Sequence, residues 1–484
     1  MLSMTIYYKS AAVFLAGTFS SLAAISVPAF FSDGMVLQRE TGAKIWGTGD
    51  PNTSVKAQFA GQKLTSKTDA DGKWMVDFKG LKMSKAGAAL QVNIGKDTLI
   101  IKDVVVGEVW LASGQSNMEW TMRRTSGAED AKTAKDDLLR IYVSGNSTAA
   151  KPQTDFKGSW KKTDPANTPN FTAVGYEFAK NLRAKLDVPV GVIECSWGGK
   201  PVESFVSEEA LKVLPEAKIV LDKKANQLKR WKQMLEKNPK ANPKQNPELN
   251  PGMHSTIYNA MIAPLAGYGA RGAIWYQGES NARGGTATHY GELLKCLIDD
   301  WRKKWGSDLS FYYVQLANFD GKNNFPHWVM VQDEMRRLLD ESPKVGMAVI
   351  NDIGAAKNIH PKNKKDVGAR LARWALSKDY GVKDMVISGP LYKSHEIKGA
   401  NVEVSFSHAE GLKSRAGNPL GGFEVSDESG KWHPAEAVVK GDKIIVTSKA
   451  AAHPSNVRYA WKSNPTKANL VNKAGLPTSC FVGK

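Results

Sequence analysis

Between residues 104 and 380 the chain alternates short, largely apolar runs with amphipathic stretches, and this alternation constrains the fold more than any other feature. The apolar runs are residues 104–106, 109–112, 188–193, 272–276, 311–316 and 345–350. Residues 176–186 and 290–305 carry apolar side chains three and four apart, the period of a helix that buries one face. Strands that are apolar on both faces need cover on both faces. Their alternation with helices implies βαβ units, so an α/β fold with a parallel sheet is expected. Hydrophobic residues make up 42% and charged residues 24% of the 484, a globular composition that excludes disordered, collagenous and coiled-coil chains.

The texture differs on either side. Residues 43–47, 54–60 and 73–78 alternate apolar and polar positions between turns such as Asp71-Gly72, the pattern of antiparallel strands. The same pattern returns after Gly389-Pro390, in residues 400–406, 422–425, 443–448 and 457–461. The expected organisation is an N-terminal β module over 25–103, an α/β domain over 104–385 and a C-terminal β module over 386–484. Within the α/β domain, residues 216–252 form a lysine- and proline-rich insertion. It begins as a helical pattern and ends where repeated Asn-Pro forbids a helix. Residues 1–24 read as a signal peptide: Lys9 precedes a short apolar run, and small residues follow at Ser20-Ser21-Leu22-Ala23-Ala24. The run falls short of the roughly 20 apolar residues of a spanning helix. The expectation is a secreted or periplasmic protein with no stable membrane insertion after the leader is removed.

Lysine and arginine exceed aspartate and glutamate by 66 to 48, a net charge of +18, which raises the question of an anionic partner. The excess lysines fall outside any nucleic-acid-binding motif, and with an export signal no nucleic-acid partner is expected. Three cysteines, Cys195, Cys296 and Cys480, are too few for a disulfide framework.

Chemistry concentrates in four loops, each placed after an apolar strand. In Ser113-Gly114-Gln115-Ser116-Asn117-Met118-Glu119-Trp120 a tight glycine turn projects Ser116 at the carboxyl edge of the sheet. Backbone N–H groups there suit an oxyanion; the alternative role is a helix N-cap. Of eight histidines, His360 lies on a strand-to-helix loop at that same edge, between residues 345–350 and a helical stretch over 366–376. The loop Ser196-Trp197-Gly198-Gly199-Lys200 offers the N–H groups of Gly198 and Gly199, or else is only a turn. The loop Gln277-Gly278-Glu279-Ser280-Asn281 offers Gln277 and Asn281 as side-chain donors, with Glu279 as a carboxylate that pairs with a neighbour. Open α/β sheets bind ligands at the carboxyl ends of their strands, where all four loops lie.

In their order and spacing, Ser113-Gly114-Gln115-Ser116-Asn117-Met118, Ser196-Trp197-Gly198-Gly199, residues 275–281 and Ile359-His360-Pro361 resemble the sialate O-acetylesterase family of SGNH hydrolases. Residues 32–39 and 457–461 extend the resemblance over nearly the whole mature chain. It implies a three-layer α/β/α core flanked by β modules, and removal of O-acetyl groups from sugars. Ser116 would be the nucleophile and His360 the general base. The oxyanion would be held by the Ser116 N–H, a glycine N–H of Gly198-Gly199 and Gln277. No metal and no organic cofactor are implied, and the partner is an O-acetylated carbohydrate.

Two positions depart from the family pattern. Where the family carries an acid two residues before the histidine, this chain has Asn358, which orients an imidazole but brings no charge. Asp352 is the substitute acid if the loop folds back; otherwise it is a turn or helix-capping carboxylate. Lys200 stands where a small polar residue is usual. Acetylated xylan or pectin is the alternative substrate, and a carbohydrate-binding protein without catalysis the alternative function.

Overall fold

The computed structural model describes residues 25–242, 245–321 and 327–483. The expected signal peptide, 1–24, lies outside the described residues. A central sheet runs in the order Val345–Ala348, Ser310–Val314, Gly272–Tyr276, Asp97–Gly114, Val190–Ser196, Asp136–Ser144, Gly158–Thr163. Its neighbours are parallel except the last pair.

Side chains alternate across a strand, so an all-apolar strand feeds two cores. In Ser310–Val314, Phe311 and Tyr313 enter one core while Tyr312 and Val314 enter the other. Ala273 and Trp275 divide from Ile274 and Tyr276 in the same way. Helices Ala173–Leu186 and Lys365–Lys378 cover one face. They touch so closely that a Cβ on Gly368 would lie 2.6 Å from Glu177 Cβ. Helices Tyr290–Trp305 and Trp328–Glu341 cover the other. The result is the three-layer α/β/α core, with Trp110, Trp275 and Trp301 fully buried in it. Each such large apolar side chain contributes roughly 1.5–3 kcal/mol through burial.

Strand Asp97–Gly114 is 18 residues long; its first half pairs with Ser84–Ile94 in the N-terminal β region and its second half is the middle of the central sheet. The apolar residues of that β region join the same core as the sheet. Glu108 fastens the junction. Its fully buried carboxylate accepts from Arg39 Nε at 2.5 Å, Arg271 Nε at 3.0 Å and Gln38 Nε2 at 2.9 Å. Burial alone would raise this carboxyl, but the Arg271 guanidinium and its companions outweigh it and hold it below the usual carboxylate range. The C-terminal strands form two four-stranded sheets around a separate core that includes Val402, Phe423, Val457 and Phe481. The lysine-rich insertion opens as helix Lys218–Lys237, mostly exposed. All three cysteines are free. Among the described residues no helix is long and apolar enough to cross a membrane.

Candidate active site

The four polar loops converge at the carboxyl edge of the sheet. Strand Asp97–Gly114 ends at Gly114, whose φ of +133° only glycine adopts without strain; a Cβ there would also lie 2.2 Å from the Tyr276 carbonyl oxygen. Gln115 is extended, and the short helix Ser116–Glu119 starts at once. Strand, glycine and helix thus lift Ser116 out of the sheet. Two neighbouring strands clamp the turn, since Gln115 N–H donates to Tyr276 O at 2.9 Å and Trp197 N–H to Gly114 O at 3.0 Å.

Across 244 residues of sequence, His360 Nε2 lies 2.8 Å from Ser116 Oγ. The imidazole stacks on Trp120, with ring centroids 4.6 Å apart and planes at 18°. Arg124 stands 5.9 Å from the centroid of the same indole. Burial, then Lys364, then Arg124, lower the His360 pKa below the ordinary imidazole value, so the ring is a free base at neutral pH.

The acid expected behind His360 is not brought there. Both carboxylate oxygens of Asp352 are engaged by Arg370, at 2.6 and 2.8 Å, with Arg415 at 3.7 Å, and no hydrogen bond joins Asp352 to His360. Arg370 also donates to Val349 O, so Asp352 fastens its loop to helix Lys365–Lys378 instead of orienting the imidazole. Asn358 does not orient the ring either. Its Oδ1 accepts the backbone N–H of His360 at 3.0 Å, a local turn bond that shapes the loop.

The Gly198-Gly199 loop lies against the serine, because a Cβ on Gly198 would be 3.2 Å from Ser116 Cβ. The Gly198 N–H donates to Glu119 Oε2 at 2.7 Å and is not open. Gly199 is exposed, has φ +69°, and its N–H meets no acceptor among the described residues. The N–H groups of Ser116 and Asn117 have no intrahelical acceptor, as in any first helical turn. Lys200 Nζ sits 5.7 Å from the ring centroid of its neighbour Trp197.

Gln277, Glu279 and Asn281 are buried below this surface. Gln277 Nε2 has acceptors at Asn281 Oδ1, Gln115 Oε1 and Lys200 O, so both its N–H bonds are engaged within the protein. Asn281 donates to Glu203 and Thr286, and Glu279 accepts from Asn117 Nδ2 at 2.5 Å. In this geometry the three form the bracing layer that holds the loops in register. Sequence reasoning passed over Trp120 and Lys364. Trp120 closes the helical turn that begins at Ser116, a spacing legible in the sequence, whereas Lys364 is the N-cap of helix Lys365–Lys378 at the end of the irregular His360 loop and carried no local signal.

A serine hydroxyl hydrogen-bonded to a histidine, beside open backbone N–H groups at the edge of a parallel sheet, is the arrangement of an ester hydrolase. The chain belongs to the family described as carbohydrate esterase, sialic acid-specific acetylesterase, whose model matches residues 106–377. It is 30% identical over 481 residues to a sialate O-acetylesterase of Rattus norvegicus, covering 89% of this chain and 88% of that protein. The sialate O-acetylesterase of Homo sapiens is 29% identical over 486 residues, with 90% and 87% covered. A crystal structure of a carbohydrate acetylesterase from Xanthomonas citri superposes with a TM-score of 0.84 at 35% identity, over 95% of this chain and all of that one. This chain is a carbohydrate O-acetylesterase.

Proposed function

We propose that the chain is an exported enzyme that hydrolyses O-acetyl esters of sialic acids, with Ser116 as nucleophile and His360 as general base. The contact between Ser116 Oγ and His360 Nε2 at 2.8 Å carries the assignment of roles. The sugar is supported by the family's description and by the relatives named sialate O-acetylesterases. Export rests on the basic, apolar and small-residue order of residues 1–24, and no nucleic-acid partner is proposed.

In the first half-reaction His360 Nε2 takes the hydroxyl proton as Ser116 Oγ bonds to the acetyl carbonyl carbon. The carbonyl π electrons move to oxygen, and the oxyanion faces the N–H groups of Ser116 and Gly199. Collapse breaks the bond to the sugar oxygen, which leaves as an alcohol with the proton from His360. Water, deprotonated by the same nitrogen, then bonds to the carbonyl carbon of the acetyl-serine; collapse breaks the bond to Ser116 Oγ, which takes the proton back from His360, and acetate leaves. An oxyanion donor is worth roughly 3–4 kcal/mol in such steps. Among the described residues no carboxylate is hydrogen-bonded to the imidazole; its stack on Trp120 offers the imidazolium a cation–π contact of about 1–2 kcal/mol in its place.

The test is acetate release from O-acetylated sialic acid, acetylated xylan and acetylated pectin by wild type and Ser116→Ala. Release from the sialic acid, lost by several orders of magnitude in a folded Ser116→Ala, is expected. Undiminished turnover in that variant would refute the nucleophile. Release from xylan or pectin alone would transfer the enzyme to plant polysaccharides, and glycan binding without any release would leave a binding protein. Amino-terminal sequencing of protein recovered outside the cytoplasm checks export.

A further inference from the structure

Beneath the paired serine and histidine lies a buried polar cluster with no part in the steps above. Lys364 is 1% exposed, at the start of helix Lys365–Lys378. Its ammonium donates to Asn117 Oδ1 and lies 5.1 Å from the ring centroid of Tyr276. Asn117, the residue after Ser116, spends its amide N–H groups on Glu279 Oε1 at 2.5 Å and on the carbonyl of Ile359 at 3.0 Å. Ile359 precedes His360. One amide therefore ties the serine turn to the histidine loop, and the lysine donor on its oxygen and the carboxyl acceptor on its nitrogen fix which way it points. Glu279 Oε2 is buried without a hydrogen-bond partner among the described residues, so Asn117 is the side chain hydrogen-bonded to this carboxyl group; burial raises its pKa against the pull of Asn117, Lys364 and Arg283.

A lysine left in an apolar interior without a function costs several kcal/mol of desolvation. Burial pushes this ammonium down to about 7, against the upward pull of Glu279. The position is not a surface charge that happened to be covered. A triad has an acid that holds the imidazole; here Asp352 and Asn358 are both engaged elsewhere.

We propose that Lys364 is a positioning residue for ester hydrolysis: through Asn117 it braces the serine turn against the histidine loop, and so keeps Ser116 Oγ and His360 Nε2 in register without a carboxylate behind the ring. This rests on the assignment of Ser116 and His360. Loss of register of about an ångström costs on the order of 10²-fold in rate.

The experiment uses the full-length protein with Lys364→Met, Lys364→Gln and Lys364→Arg. It measures kcat and KM for a chromogenic acetyl ester across pH, and the rate at which a phosphonofluoridate inactivates the enzyme through its serine. For Lys364→Met we expect kcat and the inactivation rate to fall together, by about 10²-fold, with KM little changed. The acid limb of kcat/KM should move to higher pH, because one of the two cations that lower the His360 pKa is gone and Arg124 remains; Glu279 acts on Lys364 and Arg283 on Glu279, and neither is among the groups that shift the ring. Lys364→Arg should recover most of the rate. Wild-type kcat with an unmoved acid limb in a folded Lys364→Met overturns the proposal. Should that variant not fold, the same result in Lys364→Gln does so. Full activity in Ser116→Ala would instead overturn the underlying assignment, which keeps the two failures apart.

Discussion

Replacing Asp352 with asparagine separates two roles that the sequence alone left open. If Asp352 holds its loop, the loss should appear in stability; if it is the acid of a triad, the loss should appear in turnover. Its carboxylate is 10% exposed and receives two N–H groups from Arg370, whose side chain is 12% exposed. Hydrogen bonds to charged groups contribute about 1.5–3 kcal/mol each. Asparagine keeps one acceptor oxygen but loses the charge, so Asp352→Asn should cost on the order of 2 kcal/mol. Asp352→Ala, which strands the guanidinium, should cost about 3–5 kcal/mol. In a chain of this size the first is a fall in Tm of a few degrees. Because no hydrogen bond joins Asp352 to His360, kcat in the folded asparagine variant should change by less than about 0.5 kcal/mol of barrier, roughly a factor of two. Thermal unfolding and hydrolysis of an acetyl ester, measured on one preparation, give both numbers. A loss of kcat of about 10³ or more, some 4 kcal/mol, at unchanged Tm would refute the reasoning and make Asp352 the acid.

The remaining expectations concern charge. His360 accepts the serine proton only as a free base, so kcat/KM should fall as pH drops through its depressed pKa, with an acid limb below 6.5; a limb at or above 6.5 would contradict the burial and cationic surroundings of the ring. Asn358→Asp adds a negative charge to the histidine loop and should move that limb to higher pH with only a modest change in kcat, and an unmoved limb would show that residue 358 is not felt at the ring. Glu108→Gln should cost about 3 kcal/mol or more in denaturant unfolding and leave the pH profile of activity as it was, since it leaves Arg39 and Arg271 facing a neutral amide. The same carboxylate makes wild-type stability fall as pH drops below its unfolded value near 4.5, because its folded pKa is lower still; a variant whose acid sensitivity equals that of wild type would contradict this.

What the sequence determined is whatever depends on period and local backbone chemistry. The short all-apolar runs became sheet strands, buried on both faces, and helices Ala173–Leu186 and Tyr290–Trp305 followed from spacings of three and four. Ser116 and His360 were legible because each sits on a loop that leaves a parallel strand at its carboxyl end, which local pattern suffices to place. Helix Trp328–Glu341 was not singled out, and residues 104–106 and 109–112, read as two runs, are parts of one strand that also spans the N-terminal β region. The partners of buried polar groups were decided only by the tertiary structure. Asp352 lies eight residues from His360, yet its charge goes to Arg370, which is nearer in space and always cationic. Gly198 N–H turns to Glu119, and Asn117 is pinned between Lys364 and Glu279, residues 247 and 162 positions away. A sequence pattern states which face a residue takes; which of several polar groups it meets depends on distances of a few tenths of an ångström, and these are set only when strands and helices far apart in the chain pack together.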